Sequence, residues 1–234
     1  WAHGHPKHHS NEDDGHIACV LNSLYTRDPM SHGHINFTRC GLPIDVQKRI
    51  GEKFWGSPDT VDAIGDYTPT NIYKMKRLQW VVARKELHDM LGICSWTAPW
   101  EVSPLREKGY IGDIEMESKV FRAVTGIEMT QDDLDKAGLR AFILQRLYTM
   151  RQLKTKDMRH VHDRYPDWIF DDAKGRAPFT KGTIRMEHDD IEKSFDLFFE
   201  LMDFDVKTGA PTEKCLNEYG LAKAVPVMKK EGLL

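Results

Sequence analysis

Apolar residues recur at helical spacing through most of the chain, and no stretch convinces as a strand. Ile72, Met75, Leu78 and Val82, followed by Leu87 and Leu91, predict a long helix. Thr68 is its candidate N-cap, Pro69 suits its first turn, and Gly92 is a natural C-terminal stop. A second long helix opens on the capping-box spacing Thr130–Asp133 and runs to about Leu153, with Leu134, Phe142, Leu147 and Met150 turned inward. A third, from Asp190 to Phe204, carries Ile191, Phe195, Phe198 and Met202 on one face. Shorter helices are predicted from His16 to Thr26, over residues 45–54, from Asp113 to Thr125 with Gly126 as its stop, and from about Thr212 with a short helical tail. The fold class expected is all-α, with antiparallel helices joined by moderate loops and no repeat of fixed period.

The pattern weakens towards the N-terminus, which divides the chain into a loop-rich segment with short helices (residues 1–67) and a helical domain (residues 68–234). Residues 160–185 read as irregular and polar, and His160 and His162 within them as solvated. A chain of 234 residues can bury a sizeable core. With 33 basic against 36 acidic residues, no basic excess points to nucleic acid or anionic lipid. No apolar run reaches membrane-spanning length, and no signal-peptide pattern opens the chain. The first residue is Trp1, which suggests a portion of a larger protein; a processed protein is the alternative. Cys19, Cys40, Cys94 and Cys215 are scattered, without a C-x-x-C pair. They read as reduced thiols of a cytoplasmic protein, most of them small buried hydrophobes.

The densest candidate chemistry lies where the first long helix ends, at Asp89-Met90-Leu91-Gly92-Ile93-Cys94. A carboxylate, a glycine that lets another group approach the backbone, and a soft thiolate fall within six residues. An acid is unfavourable in a last helical turn, where the helix dipole is negative, so Asp89 calls for a donor. The purely structural alternative makes Gly92 a helix stop, Leu91 and Ile93 core, Cys94 filler and Asp89 a solvated charge.

These residues resemble the Asp-x-x-Gly-Leu-Cys motif of the tungsten-containing aldehyde:ferredoxin oxidoreductase family. The likeness continues through Ala123-Val124-Thr125-Gly126, through Gly138-Leu139-Arg140 to Met150-Arg151, and through Leu197 to Asp205, Gly209-Ala210-Pro211-Thr212 and Leu216 to Leu221. It covers the chain from about residue 70 onward and implies a multi-helix C-terminal domain of that type, a fragment of the enzyme. The family holds tungsten, occasionally molybdenum, on two pyranopterins (molybdopterin or tungstopterin) beside a [4Fe–4S] cluster. By this resemblance Asp89 binds a pterin, the backbone of Gly92 and Ile93 lies against it, and Cys94 is the fourth cluster thiolate and the metal ligand. Ile93 stands where the family usually has leucine. The family's C-x-x-C-x-x-x-C group, its β-rich N-terminal domain and its second pterin motif are absent, so one thiolate here cannot hold a cluster alone.

The implied activity is oxidation of an aldehyde to a carboxylic acid in an anaerobic, cytoplasmic enzyme. Electrons would pass to ferredoxin or a partner subunit, and a homo-oligomer is compatible. His32 is the candidate catalytic residue, with His34 as rival, since imidazole carries protons near neutral pH. Two other functions stay open: a benzoyl-CoA-type aromatic acyl-CoA reductase, which Leu21 to Tyr25 weakly resembles, and a non-catalytic helical assembly module. His3, His5, His8 and His9 could suit a transition metal or line the substrate approach. Lys74, Lys76, Arg77, Arg84 and Lys85 read as a solvated face of the first long helix, with an acidic ferredoxin as alternative occupant. Trp96 and Trp100 read as core, or as a shield that keeps water from a cluster.

Overall fold

The computed structural model describes residues 15–25, 41–63, 66–95, 100–165, 167, 170 and 186–234. Its α-helices follow in the order α1 (Gly15–Leu24), α2 (Ile44–Trp55), α3 (Ile72–Leu91), α4 (Met116–Thr125), α5 (Gln131–Leu153), α6 (Met158–Val161), α7 (His188–Leu201), α8 (Glu213–Glu218) and α9 (Val225–Lys230). Among the described residues, extended pairing is limited to isolated bridges such as Val102 with Ile111 and Phe204 with Pro211. The chain is therefore all-α.

Helix α3 is the axis, with α5, α7 and α1 packed around it. The predicted inward positions are buried as expected: Met75, Leu78 and Val82 on α3, Leu134, Phe142, Leu147 and Met150 on α5, and Ile191, Phe195 and Phe198 on α7, with Met202 at its end. Helix α1 is buried along its whole length, and Tyr25, just past its end, stacks edge-on against Phe142 at 5.6 Å between ring centroids. Helices α3 and α5 cross closely. A methyl group built at Gly138 would lie 2.1 Å from the Ala83 carbonyl oxygen, so only glycine lets these two backbones meet. A smaller core of Val46, Ile50, Trp55 and Val61 lies to one side, and Trp80 of α3 packs against both cores.

Local signals set most helix ends. Thr130 and Asp133 form a capping box at the start of α5. Thr212 caps α8 by accepting from the Cys215 N–H. The start of α3 differs from expectation: Asn71, rather than Thr68, is the cap and accepts from the Lys74 N–H. Thr68 is instead held by Asp62, which accepts from both its N–H (3.0 Å) and its hydroxyl (2.7 Å). Helix α4 also starts later than Asp113, because the Asp113 carboxylate turns back to accept from the Glu115 N–H before the helix opens at Met116.

The expected solvated face of α3 is the largest correction. Lys74, Arg77, Arg84 and Lys85 are all buried. Each has a partner contributed by another element or by the next turn. Lys74 donates to Asp62 (2.6 Å) and the Thr68 carbonyl (2.6 Å), Arg77 to the Thr60 carbonyl (3.0 Å), and Lys85 to Asp89 (2.5 Å). Arg84 donates to Glu117 (2.8 Å) and to Asp135 (2.6 Å). Their stems and guanidinium planes pack as apolar surface would: Arg77 lies over Trp55 and Arg84 over Trp80. A ferredoxin patch on this face has no accessible charge among those four.

Two further polar groups are interior. His16 is buried at the start of α1, paired with the Asp190 carboxylate of α7. Burial works against the Asp62 charge nearby, yet hydrogen bonds from His16, Lys74 and Thr68 hold its carboxyl at about 2. His162, expected in solvent, is buried with Asp163, which forms a two-pronged ion pair with Arg146 of α5. His160 alone of that histidine pair is exposed.

Candidate functional site

The Asp89–Cys94 segment leaves the molecule where α3 ends. Gly92 takes the left-handed conformation (φ 68°), and the N–H groups of Gly92 and Ile93 both donate to the His88 carbonyl, which closes the helix. A methyl group built on Gly92 would meet no atom within 4 Å. Glycine is thus required by the backbone angle, while the space above it is open.

Around that turn the chemistry faces outward. The Cys94 thiol is exposed, unlike Cys19 and Cys215, which are buried with their thiols pushed up by desolvation. Asp89 keeps 39% of its side chain in solvent while one carboxylate oxygen accepts from Lys85. Lys85 is therefore the donor that an acid in a last helical turn calls for, and it leaves Asp89 accessible. Met90 is exposed beside it.

From beneath, the segment is held by residues that the sequence pattern did not single out. His88 is fully buried; its Nδ1 pairs with the Ser95 hydroxyl (3.1 Å) and its Nε2 with Glu117 of α4 (3.0 Å). Burial opposes the Glu117 charge, but the hydrogen bond from His88 and the Arg84 guanidinium together hold its carboxyl below the usual range. Arg84 joins Glu117 to Asp135 of α5. Position 95 is thus tied through His88 to three helices. The available signal was spacing: Arg77, Arg84 and His88, seven and four residues apart, share one face of α3. Taken as surface charge, that face gave no reason to look inward.

Among the described residues, no group of three or more His, Cys, Asp or Glu side chains gathers in a way that could hold a metal ion. Cys94 is a single exposed thiol. His32 and His34, and the histidines at 3, 5, 8 and 9, lie outside the described residues, as do Cys40 and Trp96. Trp100 is half-buried.

Residues 33–221 match the family model described as aldehyde ferredoxin oxidoreductase, domains 2 and 3. The chain belongs to this family. The match holds α2 to α8 and the whole Asp89–Cys94 segment; His34 lies just inside it and His32 just before it. Family membership makes the chain part of an oxidoreductase, and its all-helical fold agrees with the matched description. No helix among the described residues is long and apolar enough to cross a membrane.

Proposed function

We propose that this chain is the C-terminal part of a tungsten bis-pyranopterin, [4Fe–4S] oxidoreductase that oxidises aldehydes to carboxylic acids and passes electrons to ferredoxin or a partner subunit. The observation that carries this reading is the outward-facing end of α3: an accessible carboxylate, an open glycine turn and an exposed thiol, all on a rigidly held helix terminus.

These residues fit a pterin beside a cluster. Asp89 can accept from the amino and ring N–H groups of a pterin while its hydrogen bond from Lys85 keeps it oriented. The open space above Gly92 allows a flat heterocycle to approach the backbone of Gly92 and Ile93. Cys94 offers one thiolate, a suitable ligand for one iron. Bound there, the metal–pterin supplies the two-electron chemistry. The matched description covers domains 2 and 3, and the remaining cluster thiolates and second pterin contacts are assigned to a preceding part of the same enzyme.

The chain's own contribution is then position and proton handling. Ser95 and His88 fix the segment that bears Cys94. His32, with His34 as its rival, donates a proton or hydrogen bond to the substrate oxygen as negative charge develops there. The alternative activity on aromatic thioesters draws on Leu21 to Tyr25, which lie buried at the end of α1; assaying simple aldehydes against aromatic thioesters separates the two.

Metal analysis of the complete enzyme tests the reading. Tungsten with about four iron atoms per tungsten is expected, and an enzyme with neither metal overturns it. Cys94→Ala should lower iron content, whereas Cys215→Ala should not. His32→Ala should keep both metals and slow aldehyde turnover by about 100-fold. Unchanged turnover moves the role to His34.

A further inference from the structure

Beneath the Asp89–Cys94 segment lies a buried polar seam that the proposed chemistry does not use. It runs along α3 through Arg77, Arg84 and His88. Facing it are Glu101 from the 100–112 loop, Glu117 from α4 and Asp135 from α5. The four residues at 96–99, Trp-Thr-Ala-Pro, add no titratable group.

Glu101 is the anomaly. It is 0% exposed, and neither carboxyl oxygen has a hydrogen-bond partner among the described residues. Its own backbone N–H is close enough to favour the charged form but not in hydrogen-bonding geometry. The nearby cations are engaged elsewhere: Arg77 donates to the Thr60 carbonyl, and Arg84 to Glu117 and Asp135. Charge balance gives the same result. Arg77 and Arg84 already match Glu117 and Asp135. With an uncharged His88 imidazole, an ionised Glu101 leaves one unmatched negative charge out of water, which is costly, and one proton removes it. Burial accordingly pushes the Glu101 carboxyl up to about 7, with Glu117 adding to the rise and Arg77 and Arg84 opposing it.

The seam also reaches the candidate site. Glu117, the carboxylate that acts on Glu101, bonds to His88, and His88 bonds to Ser95, next to Cys94. Building on the proposed function, we propose that Glu101 is a redox-linked proton store, taking up one proton when the electron carrier ligated by Cys94 gains an electron. The proton returns to solvent when the electron leaves. The balance closes on the proposed reaction: one aldehyde and one water give a carboxylate, two electrons and three protons. An electron held beside Cys94 would add negative charge at the end of the seam, and a proton on Glu101 would offset it. Glu101 acts here through the field of the seam, as a positioning residue for charge rather than a group that touches substrate.

The test is a redox titration of the cluster in the complete enzyme, followed by electron paramagnetic resonance at several pH values. The midpoint potential of the wild type should fall as pH rises through neutrality. Glu101→Gln, close in shape to the protonated acid, should lose that dependence while keeping its cluster. Difference infrared spectra of the wild type, which need no variant, should show a protonated-carboxyl band that grows on reduction. A cluster whose potential ignores pH in the wild type, or depends on it equally in Glu101→Gln, overturns this inference and leaves the proposed function standing. An enzyme without a cluster overturns the functional reading, and this inference with it.

Discussion

Two stretches of α3 carry similar residues to opposite ends. Between Lys74 and His88, the side chains of Lys74, Arg77, Arg84, Lys85 and His88 turn inward, and each meets a partner brought by another helix, by a loop or by the next turn. From Asp89 to Cys94, a carboxylate, a glycine and a thiol turn outward and contribute little packing. The interior half is polar because the fold needs those pairs: removing one member strands its partner without water. In the terminal segment Asp89 serves one such pair, with Lys85, yet it and Cys94 stay in reach of solvent. Chemistry held in place and still accessible is where a binding or catalytic role is best sought.

That contrast can be broken most forcefully at its interior end. Glu117→Ala takes a buried partner from both Arg84 and His88, and should cost about 3–5 kcal/mol, the usual scale for breaking a buried charged network; denaturant unfolding monitored by circular dichroism measures it. A loss below about 1 kcal/mol, the range of surface pairs, would show the seam to be solvated.

Glu101 gives the next largest effect, and its sign depends on pH. A carboxyl raised from its ordinary value of 4.5 to about 7 binds its proton more tightly in the folded state. The stability from that proton is fully present below the unfolded value and is lost as pH rises through the folded one. Glu101→Gln should therefore match the wild type near pH 4 and exceed it by about 3 kcal/mol at pH 8. Parallel stability curves across that window would remove the buried proton.

Gly138→Ala sharpens the comparison from the packing side. Its new methyl group would press on the Ala83 carbonyl, where backbone must give way, at a cost of about 1–3 kcal/mol by thermal or chemical unfolding. The smallest effect belongs to the terminal segment. Cys94→Ala should leave stability within about 0.5 kcal/mol while iron content of the complete enzyme falls. A large stability loss with iron retained would make Cys94 a structural residue.

Much of the helical architecture was legible because its signals are local. The period of Ile191, Phe195 and Phe198, the Thr130–Asp133 box and the glycine after α3 act within a turn or two of the residues they affect. The candidate site was legible in the same local way, as a motif within six residues. The fate of charge was not. Lys74, Arg77, Arg84 and Lys85 have the spacing of a solvated face, and nothing in their neighbourhood distinguishes that from an interior seam. His162 looked like loop surface for the same reason; only the fold brings Arg146 to its neighbour Asp163 and buries both.

By itself, then, the sequence determined the helical class, most element ends, the inward apolar stripes and the family to which the chain belongs. Each of these rests on dihedral preferences, caps or residues close together along the chain. Only the tertiary structure decided which polar groups lie inside. Arg84 meets Glu117 and Asp135, His16 meets Asp190, and the Glu101 carboxyl has no hydrogen-bond partner among the described residues, because helices distant in sequence converge around α3. Burial of a charge depends on whether a partner arrives with it, and the arrival of a partner is a property of the assembled fold.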